Sequence, residues 1–418
     1  MAKNLKTIVL AAGKGTRFKS AMPKVLHCLA GKPALHYVLD VAEAVGSLTT
    51  YVVVGHQAEK VADAVGGRAR IVVQSKQLGT AHAVKMCAPF FRNDAGTVLV
   101  MCGDTPLLDR GIVRRLAVKH EKTGAAVTVL TCLLDDPFGY GRIIRDAGNK
   151  FLAIREHKDA SAEELNIREI NTGVYCFNAK KLFSAIGDIK ANANKKEYYL
   201  TDIIELFLDR GLGVETLVTD DWTANLGLNT RADLALSEDI LRQKILGRLM
   251  DKGVTIVDPS TTYVENDVSI GQDTVIYPCT YIHHDVFVGR NCSVGPFARL
   301  RPGTRLGNNV SVGNFTEVSR SVLGDDVNMK HFSFLGDTTV GRGANIGCGT
   351  VTANYDGKNK NKTLIGPGAF IGCDSVLIAP VKIGKGSKVG AGSVVTAGRD
   401  VPAGKLAVGM PARVIKKV

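Results

Sequence analysis

Residues 10–17 read Leu-Ala-Ala-Gly-Lys-Gly-Thr-Arg, and Pro23-Lys24 follows shortly after. Glycines leave backbone N–H groups open to a phosphate, and such a turn at a strand tip is expected to cradle anions at a helix N-terminus. Arg17 and Lys24 add fixed positive charge, which offsets the charge of a phosphoryl group under in-line attack. The GxxxxGK[ST] order of a Walker A loop is absent. Asp104 closes the apolar run Val98–Met101, a place suited to a carboxylate that holds a divalent cation beside phosphates. Such a transfer needs no general base when the attacking oxygen belongs to a phosphate, because that oxygen is already anionic. A second group of chemically able residues lies far downstream. Arg301 follows Leu300 and Ser319 follows Val318, while Lys330 and His331 follow Met329. Histidine suits proton transfer near neutrality.

Two kinds of scaffold are expected to position these groups. Residues 1–228 alternate short β-branched runs (Thr7–Leu10, Thr50–Val54, Arg70–Val73, Val98–Met101, Ala126–Leu130) with helical stretches such as Ala34–Val45 and Leu78–Ala88. That alternation predicts an α/β, doubly wound, mostly parallel sheet with its ligand at the carboxyl ends of the strands. Residues 229–252 read as a linker helix, with Ala232, Leu236, Ile240, Leu241, Ile245 and Leu249 on one apolar side over Thr230–Asp251.

Residues 253–418 follow another beat. Val264, Ile270, Ile276, Ile282, Val288, Val294, Leu300, Leu306, Val312 and Val318 recur at every sixth position. After one-residue slips the series continues through Leu323, Met329, Leu335, Val340 and Ile346, then resumes from Ile365 to Val395. A period of six is the hexapeptide repeat of a left-handed parallel β-helix, here about seven coils of about eighteen residues each, with aliphatic residues inward. Arg301 and Ser319, one coil apart, then stack about 4.8 Å apart on one wall. The run Ala353–Lys360 breaks the beat and is expected to project from it.

The run 10–17 with Pro23-Lys24 resembles the signature of sugar-1-phosphate nucleotidyltransferases. Gln74, residues 77–83, Gly103-Asp104, residues 140–143, residues 156–160, Asn171-Thr172-Gly173 and residues 197–202 continue the resemblance in order. With the hexapeptide half attached, the chain resembles the bacterial family of bifunctional N-acetylglucosamine-1-phosphate uridylyltransferase/glucosamine-1-phosphate acetyltransferases. For the first half the resemblance implies UTP as co-substrate and Mg²⁺ held by Asp104 and Asn229. It implies nucleotide contacts from Leu10, Ala11, Ala12, Gly13 and Lys24, base contacts from Gln74, Gly79 and Thr80, and a sugar held by Gly141, Glu156, Asn171 and Asn229, with Arg17 and Lys24 assisting the transfer.

For the second half it implies acetyl-CoA as co-substrate and His331 as the general base. Arg301, Asn345, Phe334 and Ser319 would surround the acetyl acceptor, and Asn354, Tyr355, Lys360, Cys373 and Ala391 the coenzyme. It also implies a homotrimer with acyl-transfer sites between subunits. Four positions depart from the family pattern: Cys102 and Phe334 stand where tyrosine is usual, Ser319 where lysine is, and Cys373 where serine is. Arg320, next to Ser319, is expected on the opposite side of its strand. These departures leave a second reading open, a nucleotidyltransferase whose β-helix trimerises but is impaired in acyl transfer or acts on another amino sugar.

Composition fits small anionic substrates. The formal charge of +13 is spread over both halves, aromatics are 6%, and no aromatic-basic stripe speaks for nucleic acid. Nine scattered cysteines without a CxxC pair point to a reducing cytoplasm rather than to zinc or disulfides. No apolar run approaches a membrane span, and Met1-Ala2-Lys3-Asn4 does not read as a signal peptide.

Overall fold

The computed structural model describes residues 4–92, 94–192 and 196–415; Met1, Ala2, Lys3 and Lys416 lie outside the described residues. The chain divides into two compact units, Met1–Ser237 and Glu238–Val418. The division falls within the helix Arg231–Met250. Its last turns bury Leu241, Ile245, Leu246 and Leu249. Ala232 and Leu236, assigned to the same apolar side by periodicity, are exposed instead, so the helix has no single buried stripe along its length. Among the described residues no helix is long and apolar enough to cross a membrane.

The first unit is built on one twisted sheet. Its main strands are β1 (Leu5–Ala11), β2 (Thr49–Val54), β3 (Arg70–Val73), β4 (Thr97–Cys102), β5 (Val127–Leu133), β6 (Glu169–Asn178) and β7 (Val214–Thr219), in the spatial order β7-β5-β6-β4-β1-β2-β3. All pairings along that path are parallel except those of β6, which runs antiparallel to both β4 and β5. The near-continuous apolar runs of β1, β2 and β4 follow from burial on both faces. The long helix expected over Leu78–Ala88 is instead a short one, Thr80–Lys85, followed by a 3₁₀ turn at Ala88–Phe91. Pro89 explains the stop, since it cannot continue the helical hydrogen-bond ladder.

The second unit is a parallel β-helix. Three sheets of short strands stack in register, for example Arg299 on Glu317 and Leu300 on Val318. Two of the sheets hold eight and seven strands, and the third runs to ten, its last strand, Ala412–Ile415, folding back antiparallel on Leu406–Gly409. All the repeat aliphatics from Val264 to Val395 are buried. Where the beat fails after Ile346, the inward position is filled by Thr352, also fully buried.

Candidate functional site

At the tip of β1 the chain leaves the sheet through Ala12–Gly15. The expected helix does not follow: the next element is a single 3₁₀ turn, Thr16–Phe18. The cradle is therefore an open turn rather than a helix N-terminus. Among the described residues the backbone N–H groups of Gly13, Lys14, Gly15 and Thr16 have no internal acceptor, so they remain available to an anion. Phe18 anchors the turn. It is buried, packs 4.5 Å from the His27 ring, and lies under the Arg231 guanidinium at 4.7 Å. That anchor fixes the origin of the exposed Arg17 side chain, whose Nη2 donates to Asn229 Oδ1 at 3.0 Å.

The turn opens onto a cavity of about 610 Å³, whose lining does not include Arg17 or Asn229. Leu10, Ala11, Ala12, Gly13, Lys24, Gln74, Gly79, Thr80 and Asp104 all line it, as do Lys14, Gln77, Cys102 and Glu197, which family motifs did not single out as ligands. Gln74 extends the end of β3, donating its N–H to Val54 O at 2.8 Å. Gly79 has φ +102, and a Cβ there would fall 2.4 Å from Tyr198 O, so the close approach requires glycine. Asp104 lies just past β4, and Lys24 Nζ donates to its Oδ2. Asp104 and Asn229 converge across Gly227: a Cβ on that glycine would meet Asn229 Nδ2 at 3.6 Å and Asp104 Oδ2 at 3.9 Å. Two side-chain cations thus rest on the two groups expected to hold a metal ion.

Gly141, Glu156 and Asn171 do not line this cavity; Gly141 and Asn171 sit together, and the loop after Asn171 reaches the cavity wall at Cys102. The pairing of β6 with β5 is irregular between Asn171 and Tyr175, a bulge in which Gly173 takes φ +77. The bulge re-aims Asn171, whose Nδ2 donates to Tyr175 Oη at 2.7 Å and whose N–H donates to Gly141 O at 2.9 Å. Glu156 Oε1 lies 3.4 Å from the Thr201 hydroxyl. Cys102, the departure from the expected tyrosine, packs against the bulge, its Sγ 4.0 Å from Gly173 O. Burial pushes its thiol up to about 12, so it acts as a neutral, small wall residue.

On the β-helix the second set lies along two adjoining walls. Arg301, Ser319 and Phe334 belong to one, with Arg301 Nη1 donating to Glu317 Oε1 at 2.8 Å. His331 ends a strand of the next wall, exposed, its Nδ1 2.8 Å from Asn314 Oδ1. An amide oxygen only accepts, so Nδ1 carries the proton and Nε2 is left as the basic atom. Motif reading missed Asn314, although its place one coil before His331 could have flagged it. Asn345 is one strand further along that wall. Cys373 and Ala391 follow at its corner, tied by the Gly392 N–H to Cys373 O bond of 2.8 Å.

Of the run Ala353–Lys360, expected to project, Ala353 ends a strand and Asn354 is buried, while residues 355–360 are exposed. Tyr355 and Lys360 form an antiparallel bridge, and Asp356 accepts backbone N–H groups from Lys358 and Asn359. Arg320 departs from expectation. The strand ends at Ser319, and Arg320 sits at a corner with φ 47, where strand alternation no longer applies. Its guanidinium turns back onto Ser319, Nη1 donating to Oγ at 2.9 Å, and pairs with both carboxylate oxygens of Asp337 at 2.7 and 2.8 Å. Asp337 also accepts from Asn354, and these contacts, the Arg320 pair foremost, hold its carboxyl below the usual range.

An open turn with free backbone N–H groups at the tip of an α/β sheet, with paired cations and acceptors beside it, fits a nucleotidyltransferase. A β-helix wall with an oriented histidine fits an acyltransferase. Comparison with known proteins agrees with both halves. Residues 7–167 match the MobA-like NTP transferase domain, and residues 285–320 and 362–397 match the bacterial transferase hexapeptide, six repeats. The bifunctional protein GlmU of Pelotomaculum thermopropionicum is 46% identical over 412 residues, covering 91% of this chain and 90% of the relative. GlmU of Carboxydothermus hydrogenoformans is 44% identical over 412 residues, 90% of this chain and 92% of the relative. That of Bacillus subtilis is 42% identical over 415 residues, 91% of each. The chain belongs to the GlmU family of bifunctional proteins. It is an enzyme of two parts, an α/β nucleotidyltransferase domain followed by a left-handed β-helix of hexapeptide repeats, and its family supports two activities over nucleotidyl transfer alone.

Proposed function

We propose that the chain transfers acetyl from acetyl-CoA to glucosamine-1-phosphate on the β-helix, then uridylyl from UTP to N-acetylglucosamine-1-phosphate in the crevice of the first unit. In the first step the sugar's 2-amino nitrogen attacks the thioester carbonyl and gives a proton to His331 Nε2. The C–S bond breaks, and coenzyme A leaves as a thiol after protonation. Arg301 holds the acceptor's phosphate, with Ser319, Phe334 and Asn345 beside it. Asn354, Tyr355, Lys360, Cys373 and Ala391 meet the coenzyme. Three copies of the chain form the working assembly, in the cytoplasm.

In the second step a phosphate oxygen of the sugar attacks the α-phosphorus of UTP, and the bond to the β-phosphate breaks to release pyrophosphate. Backbone N–H groups of Gly13 to Thr16 receive the phosphates. Arg17 and Lys24 neutralise their charge. Gln74, Gly79 and Thr80 meet the base, while Gly141, Glu156 and Asn171 meet the sugar. Asp104 and Asn229 fit Mg²⁺: both offer hard oxygen donors, and both carry a side-chain cation in this structure. Bound there, Mg²⁺ would offset the charge of the triphosphate.

The observation that carries this reading is the convergence of the open turn, Lys24 on Asp104 and Arg17 on Asn229 about one site. The test is the purified protein with acetyl-CoA, glucosamine-1-phosphate, UTP and Mg²⁺, following thiol and pyrophosphate separately. Thiol release that requires the amino sugar, followed by pyrophosphate, supports both steps. Pyrophosphate from N-acetylglucosamine-1-phosphate without any thiol release would leave only the nucleotidyltransferase.

A further inference from the structure

Gln74 is 2% exposed and lines the crevice, yet both hydrogens of its amide are engaged behind the wall. Its Nε2 lies 3.1 Å from Gly79 O and 2.9 Å from His82 Nδ1. A carbonyl oxygen only accepts, so the amide atom facing Gly79 is the nitrogen. His82 Nδ1 must then accept as well. It is unprotonated, and the neutral ring carries its hydrogen on Nε2. The Gln74 group left for a ligand is therefore Oε1, an acceptor.

Uracil offers a ring N3–H donor on its pairing edge; cytosine offers a bare N3 acceptor at the same place. An amide oxygen bonds the first and repels the second. We infer that His82 is a positioning residue that, together with the Gly79 carbonyl, sets which end of the Gln74 amide meets the nucleobase, and so selects uridine over cytidine nucleotides. The inference rests on the reading that Gln74 contacts the base. His82 does not line the crevice. Its ring borders a separate small cavity with Lys85, Lys190 and Tyr198, so it acts only through Gln74. Burial and then the Lys85 charge lower its pKa, which favours the neutral accepting form.

The experiment measures kcat and KM for UTP and CTP, with saturating sugar phosphate and Mg²⁺, on the full chain and on variants at His82 and Gln74. His82→Phe keeps a ring but removes one of the two acceptors, leaving the amide held only by the Gly79 carbonyl and easier to turn. The ratio of kcat/KM for UTP over CTP is expected to fall about ten-fold, mostly through KM for UTP, as for one lost hydrogen bond that sets orientation. His82→Asn can place Oδ1 near the position of Nδ1 and is expected to keep most of the discrimination. A purely structural role predicts the reverse, with the ring-preserving variant tolerated and the amide not, and that result overturns the inference. Should the Phe variant fold poorly, His82→Ala, which opens space into the adjoining cavity, makes the same test. Gln74→Ala separates the two levels. If it changes the base ratio and loss of the His82 acceptor does not, only the role of His82 is wrong; if it leaves the ratio unchanged, the base is not read by Gln74 and both readings fail.

Discussion

The crevice of the first unit and the wall of the β-helix hold their functional groups by opposite means. The crevice gathers residues from Leu10 to Glu197 at the tips of one sheet, with Asn229 close to its Asp104, drawn from several separate segments that each have local support. Phe18 anchors the turn that bears Arg17, the bulge before Tyr175 aims Asn171, and Tyr198 crowds Gly79. The wall instead repeats one element, so that position along the chain is position in space. Arg301 and Ser319 share a side because they are one coil apart, and Asn314 meets His331 for the same reason. A loop-built site tolerates change at each support separately. A coil-built site couples neighbours above and below, so a substitution is felt through the stack.

If the two sites are independent, the largest effects should be the most selective. Asp104→Ala is expected to lower pyrophosphate formation by about 10²–10³-fold or more, the scale for losing a key electrostatic group, while acetyl transfer stays intact. His331→Ala is expected to lower thiol release by about 10²–10⁴-fold, the range for a general base, and to spare pyrophosphate formation. Loss of both activities from either variant, in protein that still melts cooperatively, would break the comparison at its root.

A smaller effect sharpens the coil argument. Relatives are expected to carry lysine at position 319, and by the family pattern alone Ser319→Lys should improve phosphate binding. The structure argues otherwise. Ser319 is 1% exposed, and the Arg320 guanidinium already rests on its Oγ. A lysine there brings two like charges together in a buried place. KM for glucosamine-1-phosphate is expected to rise several-fold in Ser319→Lys and to recover in Ser319→Lys with Arg320→Ala. A fall in KM for the single variant would show that the corner is roomier than the Arg320 to Asp337 pair implies.

What could be read in advance differs between the two regions for a physical reason. A hexapeptide beat is a direct image of the fold, since every sixth side chain must enter the core, and all the aliphatics identified by spacing are buried. Family motifs named the crevice residues, but not the groups that orient them. His82 lies inside the matched run 77–83 and Asn314 lies one coil before His331, but spacing does not say which atom each side chain orients, and the Phe18 to Arg231 contact joins residues distant in sequence. Arg320 misled because alternation holds only inside a strand, and the strand ends one residue earlier. The short turn after Gly15 misled because a glycine-rich run after a strand is as compatible with an open loop as with a helix.

The smallest expected effect falls at the one inward position where the beat fails. Thr352 stacks between Leu335 and Leu377 in the core, where the pattern calls for an aliphatic side chain. By area alone, Thr352→Val should stabilise, since the shape is kept and a hydroxyl is removed from an apolar stack. The hydroxyl, however, accepts the Gly336 N–H at 2.9 Å and lies 3.3 Å from the Thr338 hydroxyl. Elsewhere in the coil the equivalent N–H reaches a backbone carbonyl, as Arg301 N–H does with Val318 O at 2.8 Å. Here valine would strand a buried donor, at a cost of about 1–3 kcal/mol, which exceeds the gain from one more methyl group of about 0.8 kcal/mol. Thr352→Val is therefore expected to lower the midpoint of denaturant unfolding of the second unit while leaving pyrophosphate formation unchanged. A raised midpoint would mean that the hexapeptide beat alone governs this core, and that the polar tie between the strands of Phe334 and Ala353 adds nothing to it.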